Sequence, residues 1–198
     1  MLLDLDGNGL KITPLGSSNT FYDTAGDGLK HRTAWAGAGD GVLVLDLAGS
    51  GQITERNQIV FTDWDPAPGN DMQSLANVFD TDRDGRLDSG DAQFSKFKLL
   101  VTNADGTTTL KTLAQAGVTS IDLIPDAEKV VLPDGTTIDG QTTFTRSNGT
   151  TGTAATVALR AHGRGAALPK GRGGVCVGAW EQPHGSARRG EGQGFAMQ

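Results

Sequence analysis

Cysteine is almost missing from these 198 residues: there is one, Cys176, near the C-terminal end. A disulfide framework is thereby excluded, and neither a thiol nucleophile nor a cysteine-ligated zinc site has a residue to use in the body of the chain. Histidine is nearly as scarce. His31, His162 and His184 stand too far apart for a metal triad or an acyl-transfer triad, so ordinary hydrolytic machinery is not expected. The chain has no apolar run approaching the roughly eighteen residues that a membrane-spanning helix needs. Met1-Leu2-Leu3-Asp4 offers neither a basic region nor a long apolar stretch, so no signal peptide is expected, and secretion by another route or within a longer chain stays open. Basic charge is short as well. Residues 1–161 carry 21 acids against 12 bases, a net charge of -9, whereas residues 162–198 carry 2 against 5, a net of +3. An acidic body argues against nucleic acid as a partner, because phosphates need a basic face, and it suits a protein that gathers divalent cations.

What is abundant is aspartate in short, glycine-punctuated loops. Asp80-Thr81-Asp82-Arg83-Asp84-Gly85-Arg86-Leu87-Asp88-Ser89-Gly90-Asp91 fits the twelve-residue calcium loop of an EF-hand, with carboxylates at positions 1, 3, 5, 9 and 12, glycine at 6 and an aliphatic at 8. Ca²⁺ is a hard cation that takes six to eight oxygens, and short aspartates on alternate residues converge as the backbone curls. Asp80, Asp82, Asp84, the carbonyl of Arg86, Asp88 and Asp91 form the expected ligand set. Asp91 stands where glutamate is usual, so its reach is one methylene shorter. Met72, Leu75, Ala76 and Phe79 mark an entering helix that begins beyond Pro66 and Pro68, and Phe94, Phe97 and Val101 predict an exiting one. The alternative for this stretch is an acidic surface turn that binds nothing.

Shorter copies of the loop precede it. Asp4, Asp6 and Asn8, followed by Gly9 and the carbonyl of Leu10, repeat its opening positions. The closing position falls on Leu15, so an ion there must borrow an oxygen from elsewhere. Asp23 and Asp27 open a second copy that has Ala25 at the third position, and Leu29–Trp35 alternates behind it as the second strand of a hairpin. Asp40-Gly41 reads as a turn into Val42–Leu45, a continuous apolar run and hence a buried strand. Asp46 opens a degenerate third copy with only Ser50 as a further side-chain ligand.

Beyond the acidic loop, Leu110, Leu113 and Ala114 predict a short helix stopped by Gly117. Val118–Ile124 reads as a strand. Val130–Leu132 with Thr136–Ile138, and Gln141–Ser147 with Thr150–Leu159, read as hairpins on Pro133-Asp134-Gly135 and Asn148-Gly149. The expected fold is α+β: a strand-rich calcium-binding module over 1–161 with one EF-hand helix-loop-helix and several β-hairpins. Residues 162–198 hold 10 of the 29 glycines and no hydrophobic period, the composition of a disordered tail.

The order DLDGNG, FYDTAGDGLKHRTAW, GDGVLVLD, FDTDRDGRLDSGDAQF and LKTLAQAGVTSIDL resembles the calcium-binding, self-processing module of iron-regulated RTX-type secreted bacterial proteins. The resemblance covers about residues 2–125 and, more loosely, 126–160. The glycine-rich repeats of an RTX β-roll are absent from it. It implies an extracellular module that folds on Ca²⁺, in a longer secreted protein whose other domains are its neighbours. It also implies, as an alternative function, calcium-dependent autocatalytic cleavage of an Asp-Pro bond, in which the aspartate attacks its own carbonyl and the resulting anhydride is hydrolysed or captured by a lysine. By alignment on Asp4, that Asp-Pro pair would precede Met1. Ala25, Ala48 and Ser50 at ligand positions, and the short turn Asn103–Gly106, depart from the pattern. The internal Asp65-Pro66 lies elsewhere, so this chain as given is expected not to cleave itself.

Overall fold

The apolar run Val42–Leu45 lies at the centre of the molecule, buried on both sides. In the computed structural model, which describes residues 1–162 and the short strand Leu168–Pro169, the N-terminal part is a series of brief strands. These are β1 (Leu2–Asp4), β2 (Ile12–Thr13), β3 (Phe21–Tyr22), β4 (Leu29–Arg32), β5 (Trp35–Ala36) and β6 (Asp40–Leu45). One α-helix follows, α1 (Asp71–Val78), and then β7 (Arg86–Asp88), β8 (Phe97–Thr102), β9 (Thr108–Thr112) and β10 (Val118–Asp122). The last strands are β11 (Val130–Val131), β12 (Thr137–Arg146), β13 (Thr151–Ala158) and β14 (Leu168–Pro169).

Nine of these strands make one antiparallel sheet in the order β7-β10-β12-β13-β1-β6-β8-β9, with β11 added to β12. The two-residue period of β6 sorts its side chains between two cores. Leu43 and Leu45 join Leu3, Phe61, Met72, Leu75 and Phe97 on one face; Val42 and Val44 join Leu2, Tyr22, Trp35 and Ala155 on the other. Minor pairings, β2 with β5 and β4 with both β3 and β14, accompany the sheet.

Helix α1 forms where its sequence favours it. Asn70 caps it, its Oδ1 accepting from the Gln73 amide at 2.9 Å, and the prolines before it prevent an earlier start. Met72 and Leu75 are fully buried beneath it. Phe79 at its end meets the Phe97 ring edge-on at 5.3 Å, and Phe61 lies 5.9 Å from Phe97 on the other side. Each such ring pair adds on the order of 1 kcal/mol to the burial itself. The acidic loop is thereby anchored to the central sheet.

The expected EF-hand helix-loop-helix is not what forms. Only the entering helix exists; after the loop come a single 3₁₀ turn, Phe94–Lys96, and strand β8. Phe94, Phe97 and Val101 fit a helical period, but Phe97, Leu99 and Val101 equally fit an alternating one, and all three of the latter are buried. Pairing decides between the two. Strand β6 needs a partner on that side, and β8 supplies it in the register Leu43 to Leu99. The short helix expected around Leu110–Ala114 is likewise replaced by β9, paired with β8, and a turn ending at Gly117. The strand at Val118 and the three hairpins form as expected. The disordered-tail reading of residues 162–198 lies outside the described residues, apart from His162 and β14.

Leu99 separates the two readings experimentally. It lies off the helical face of 94, 97 and 101 but has no exposed surface in the strand. Leu99→Ala should lower stability by about 3 kcal/mol in urea denaturation; a loss near zero would restore the helix.

Candidate functional site

Each acidic loop begins with an aspartate that takes two amides of its own loop. Asp23 accepts from Asp27 at 3.1 Å and Gly28 at 3.0 Å, and Asp46 from Ser50 at 3.0 Å and Gly51 at 2.9 Å. Asp80 accepts from Asp84 at 3.2 Å and Gly85 at 3.0 Å, and Asp4 from Gly7 at 2.8 Å and Gly9 at 2.9 Å. The sixth residue of every copy is a glycine with positive φ: Gly9 at 93°, Gly28 at 87°, Gly51 at 69° and Gly85 at 84°. A side chain would be strained there, which is why the spacing from aspartate to glycine is fixed.

The loops differ in what meets the carboxylates. In the Asp80 loop, one oxygen from each of Asp80, Asp82 and Asp84 lies within 4.8 Å of the others. Two oxygens bound to one Ca²⁺ can stand at most about 5 Å apart, so the trio fits that ion's span. Asp82 is shifted above its ordinary value by desolvation and by Asp84, Asp91 and Asp88, in that order. A Cβ on Gly90 would land on the Asp82 carboxylate, so the glycine makes room for it. Behind the loop, β7 pairs with β10, and Leu87 at loop position 8 faces Ile121, both fully buried. Arg86 Nε reaches Asp122 Oδ1 at 3.1 Å across the same pair.

Asp91 does not join the trio. Its Oδ1 accepts from the Thr81 amide at 2.6 Å and its Oδ2 from the Asp88 amide at 3.0 Å, so it clasps the two ends of the loop. Asp88 also stays out, with Oδ1 accepting from Gly90 at 2.7 Å.

A second trio gathers at the start of the chain. Asp4 and Asp6 are joined by Asp40, the first residue of β6, with one oxygen of each again within 4.8 Å of the others. Asp4 and Asp40 face each other across the β1–β6 pair. Burial pushes the Asp40 carboxyl up to about 6; the Lys11 amide opposes the shift, while Asp4 and Asp6 add to it.

The other two loops carry their own basic partners. Lys98 Nζ, projecting from β8, lies 2.6 Å from Asp46 Oδ2. Its hydrogen bond, helped by the Gly51 and Ser50 amides, lowers Asp46 to about 2. In the second loop His31 Nε2 lies 3.1 Å from Asp27 Oδ2, and Asp27 is lowered chiefly by the Leu29 amide and then by His31.

Oxygen-only trios held on glycine turns at the ends of strands in a strand-rich fold invite comparison with known proteins. The family model for the SPM domain matches residues 1–160. The chain belongs to the SPM domain family. Over 160 residues it is also 30% identical to the iron-regulated protein FrpA of Neisseria meningitidis serogroup C, an alignment that covers 76% of this chain and 14% of that protein. The chain thus spans about a seventh of that relative's length. Among the described residues, no helix of the SPM domain is long and apolar enough to cross a membrane.

Of the residues singled out from the sequence, the SPM domain brings together Asp80, Asp82 and Asp84, and separately Asp4 and Asp6. Asn8 points its side-chain amide at Asp6, with Nδ2 2.5 Å from Oδ2, and Leu10 is half-buried beyond it. Asp23, Asp27 and Asp46 form no such group. Sequence reasoning missed Asp40, read as a turn residue, and Lys98, read as part of a helix. Neither carries a local signal, because each acts through strand pairing.

The Asp46–Lys98 pair is a measurable part of the fold. Lys98→Ala should cost about 2 kcal/mol, because it strands a buried carboxylate. Asp46→Asn combined with Lys98→Met should cost much less, and equal losses would contradict the pairing. Because Asp46 is lowered on folding, its contribution is present above the ordinary carboxylate range and is lost as the pH falls toward about 2.

Proposed function

We propose that this SPM domain is a calcium-binding structural module of a longer secreted polypeptide, and that it completes its fold on binding the ion. One observation carries the reading: three carboxylates of the Asp80 loop converge with no basic group among them, at a span that suits Ca²⁺. Oxygen-only, aspartate-rich donors favour a hard cation over zinc or copper. The acidic body adds a general reason, since its charge opposes compaction until cations neutralise it. Secretion and the neighbouring domains follow from the resemblance to RTX-type proteins and from the small share of the FrpA length that the chain spans.

The experiment is thermal unfolding followed by circular dichroism, in EDTA and then in millimolar calcium. Calcium should raise the midpoint of unfolding by several degrees, and Asp80→Ala should remove most of that gain. Identical melts in both conditions would end the proposal.

The alternative reading, Asp-Pro self-cleavage, meets one candidate bond within the chain. Asp65 is already engaged: its Oδ1 accepts from the Ala67 amide at 3.2 Å, its Oδ2 from Asn77 Nδ2 at 2.7 Å, and its carbonyl from Ser74 Oγ at 2.7 Å. Attack on its own carbonyl would require the carboxylate to give up the Ala67 amide and the Asn77 side chain of α1. Asp65-Pro66 should therefore stay intact through overnight incubation in calcium. A calcium-dependent fragment ending at Asp65, seen by mass spectrometry, would show otherwise.

A further inference from the structure

We infer that Asn8-Gly9 is a site of spontaneous deamidation that Asp4 keeps closed, and that opening of the first loop commits the pair to react. The chemistry needs only water. In an Asn-Gly pair the glycine nitrogen gives up its proton and attacks the side-chain Cγ of the asparagine. An N–Cγ bond forms, the Cγ–Nδ2 bond breaks, and Nδ2 leaves as ammonia with a proton from water. Water then opens the cyclic imide at either carbonyl. One opening gives aspartate, and the other gives isoaspartate, whose backbone runs through its side chain. Glycine favours the attack, because no Cβ hinders the approach of its nitrogen.

A single contact holds the pair back. The nitrogen that would attack, Gly9 N, donates to Asp4 Oδ2 at 2.9 Å. Removing its proton there would set an amide anion against a carboxylate, which like charge opposes. Asp4 is only 4% exposed, so water screens that repulsion poorly. Crowding is not the guard. Asn8 is exposed, a Cβ built on Gly9 would meet no atom within 4 Å, and the Asn8 side-chain amide leans on the equally exposed Asp6.

The arrangement recurs where the same risk does. Asp23 and Asp80 take the amides of Gly28 and Gly85, and each of those glycines follows an aspartate, a pair that isomerises by the same imide with loss of water. The chain's other Asn-Gly pair is held differently. Gly149 N donates to the Arg146 carbonyl at 2.8 Å, and Asn148 Oδ1 accepts from Thr150 Oγ1 at 2.7 Å. Releasing it means parting the β12–β13 ladder, whereas releasing Asn8 takes only a local opening of the first loop. Reaction at Asn8 would not reverse. Aspartate there adds a charge beside Asp6, and isoaspartate lengthens the backbone between Asp4 and Gly9, on which the loop spacing depends. The modification would therefore record that the loop had opened.

Peptide mapping by mass spectrometry tests this on the full-length chain, kept for days at mildly alkaline pH in millimolar calcium, with Asn148 as the internal reference. In the unaltered protein both asparagines should react far more slowly than in concentrated urea. Asp4→Asn, which removes the charge, should speed loss of the Asn8 amide by about tenfold, the factor for one charge-assisted hydrogen bond, while Asn148 keeps its rate. If the variant unfolds, Asn148 will quicken too, and the unaltered protein decides the matter in urea below its unfolding midpoint. There Gly9 amide exchange and Asn8 deamidation should be slowed by the same factor relative to the unfolded chain. An Asn8 that reacts in the native protein as fast as in concentrated urea, different factors for the two processes, or a folded Asp4→Asn variant with an unchanged Asn8 rate would overturn the inference. The guard needs no bound ion, so melts that ignored calcium would sink the proposed function and leave it standing.

Discussion

A single hydrogen-bonding constraint underlies the acidic half of this SPM domain. An aspartate at the head of a loop accepts two amides from the turn it heads, and a glycine with positive φ lets the backbone bring those amides round. That arrangement fixes the loop and leaves its charge in place. The four copies then differ in how the charge is answered. Lys98 answers Asp46, and His31 stands against Asp27. The first and last loops do the reverse and collect further carboxylates. Like charges within 4.8 Å of one another in a partly buried setting repel; desolvation adds to the cost and backbone amides offset part of it. Carboxylates thus gather together at two of the loops and meet a lysine or a histidine at the other two.

Those places bear on strand pairing. Strand β6 runs from Asp40 to Leu45, with Asp46 immediately after it. One end meets Asp4 of β1, and the other meets Lys98 of β8. The central strand is therefore bracketed by aspartates, one compensated by an ammonium and one facing two more carboxylates. Its middle, Leu43 and Val44, is held by burial on both faces. Apolar packing thus holds the interior of the strand, while charge acts where the strand joins its loops. At the far edge of the sheet, β7 is itself part of the Asp80 loop and is tied to β10 through Leu87, Ile121 and the Arg86–Asp122 pair.

The features legible in the sequence are those written in contiguous residues. The loop spacing, the hairpins on Pro133-Asp134-Gly135 and Asn148-Gly149, the buried run Val42–Leu45 and helix α1 could all be read from local pattern. Strand β8 could not, because Phe94, Phe97 and Val101 satisfy two periods at once, and the choice between them rests on a partner strand distant in sequence. The same limit hid part of the candidate sites. Asp4, Asp6, Asp80, Asp82 and Asp84 announce themselves by spacing. Asp40 and Lys98 acquire meaning only when β1, β6 and β8 lie side by side. Asp91 keeps its place in the pattern, and its two oxygens accept from the Thr81 and Asp88 amides.

The missing second helix changes what an ion at the Asp80 loop can do. In a paired-helix calcium sensor, the closing ligand pulls on the exiting helix, and the change in interhelical angle exposes a groove. Here the twelfth residue already clasps its own loop, and the chain beyond it enters a six-residue strand paired on both sides. A strand locked between β6 and β9 cannot swing without breaking both ladders. Neutralising Asp80, Asp82 and Asp84 would therefore act through stability and not through opening. It would relieve repulsion within the loop, hold β7 against β10, and keep Phe79 in place over Phe97. Under the proposed function, cation binding would thus be coupled to whether the sheet edge is formed, and its natural readout would be folding itself.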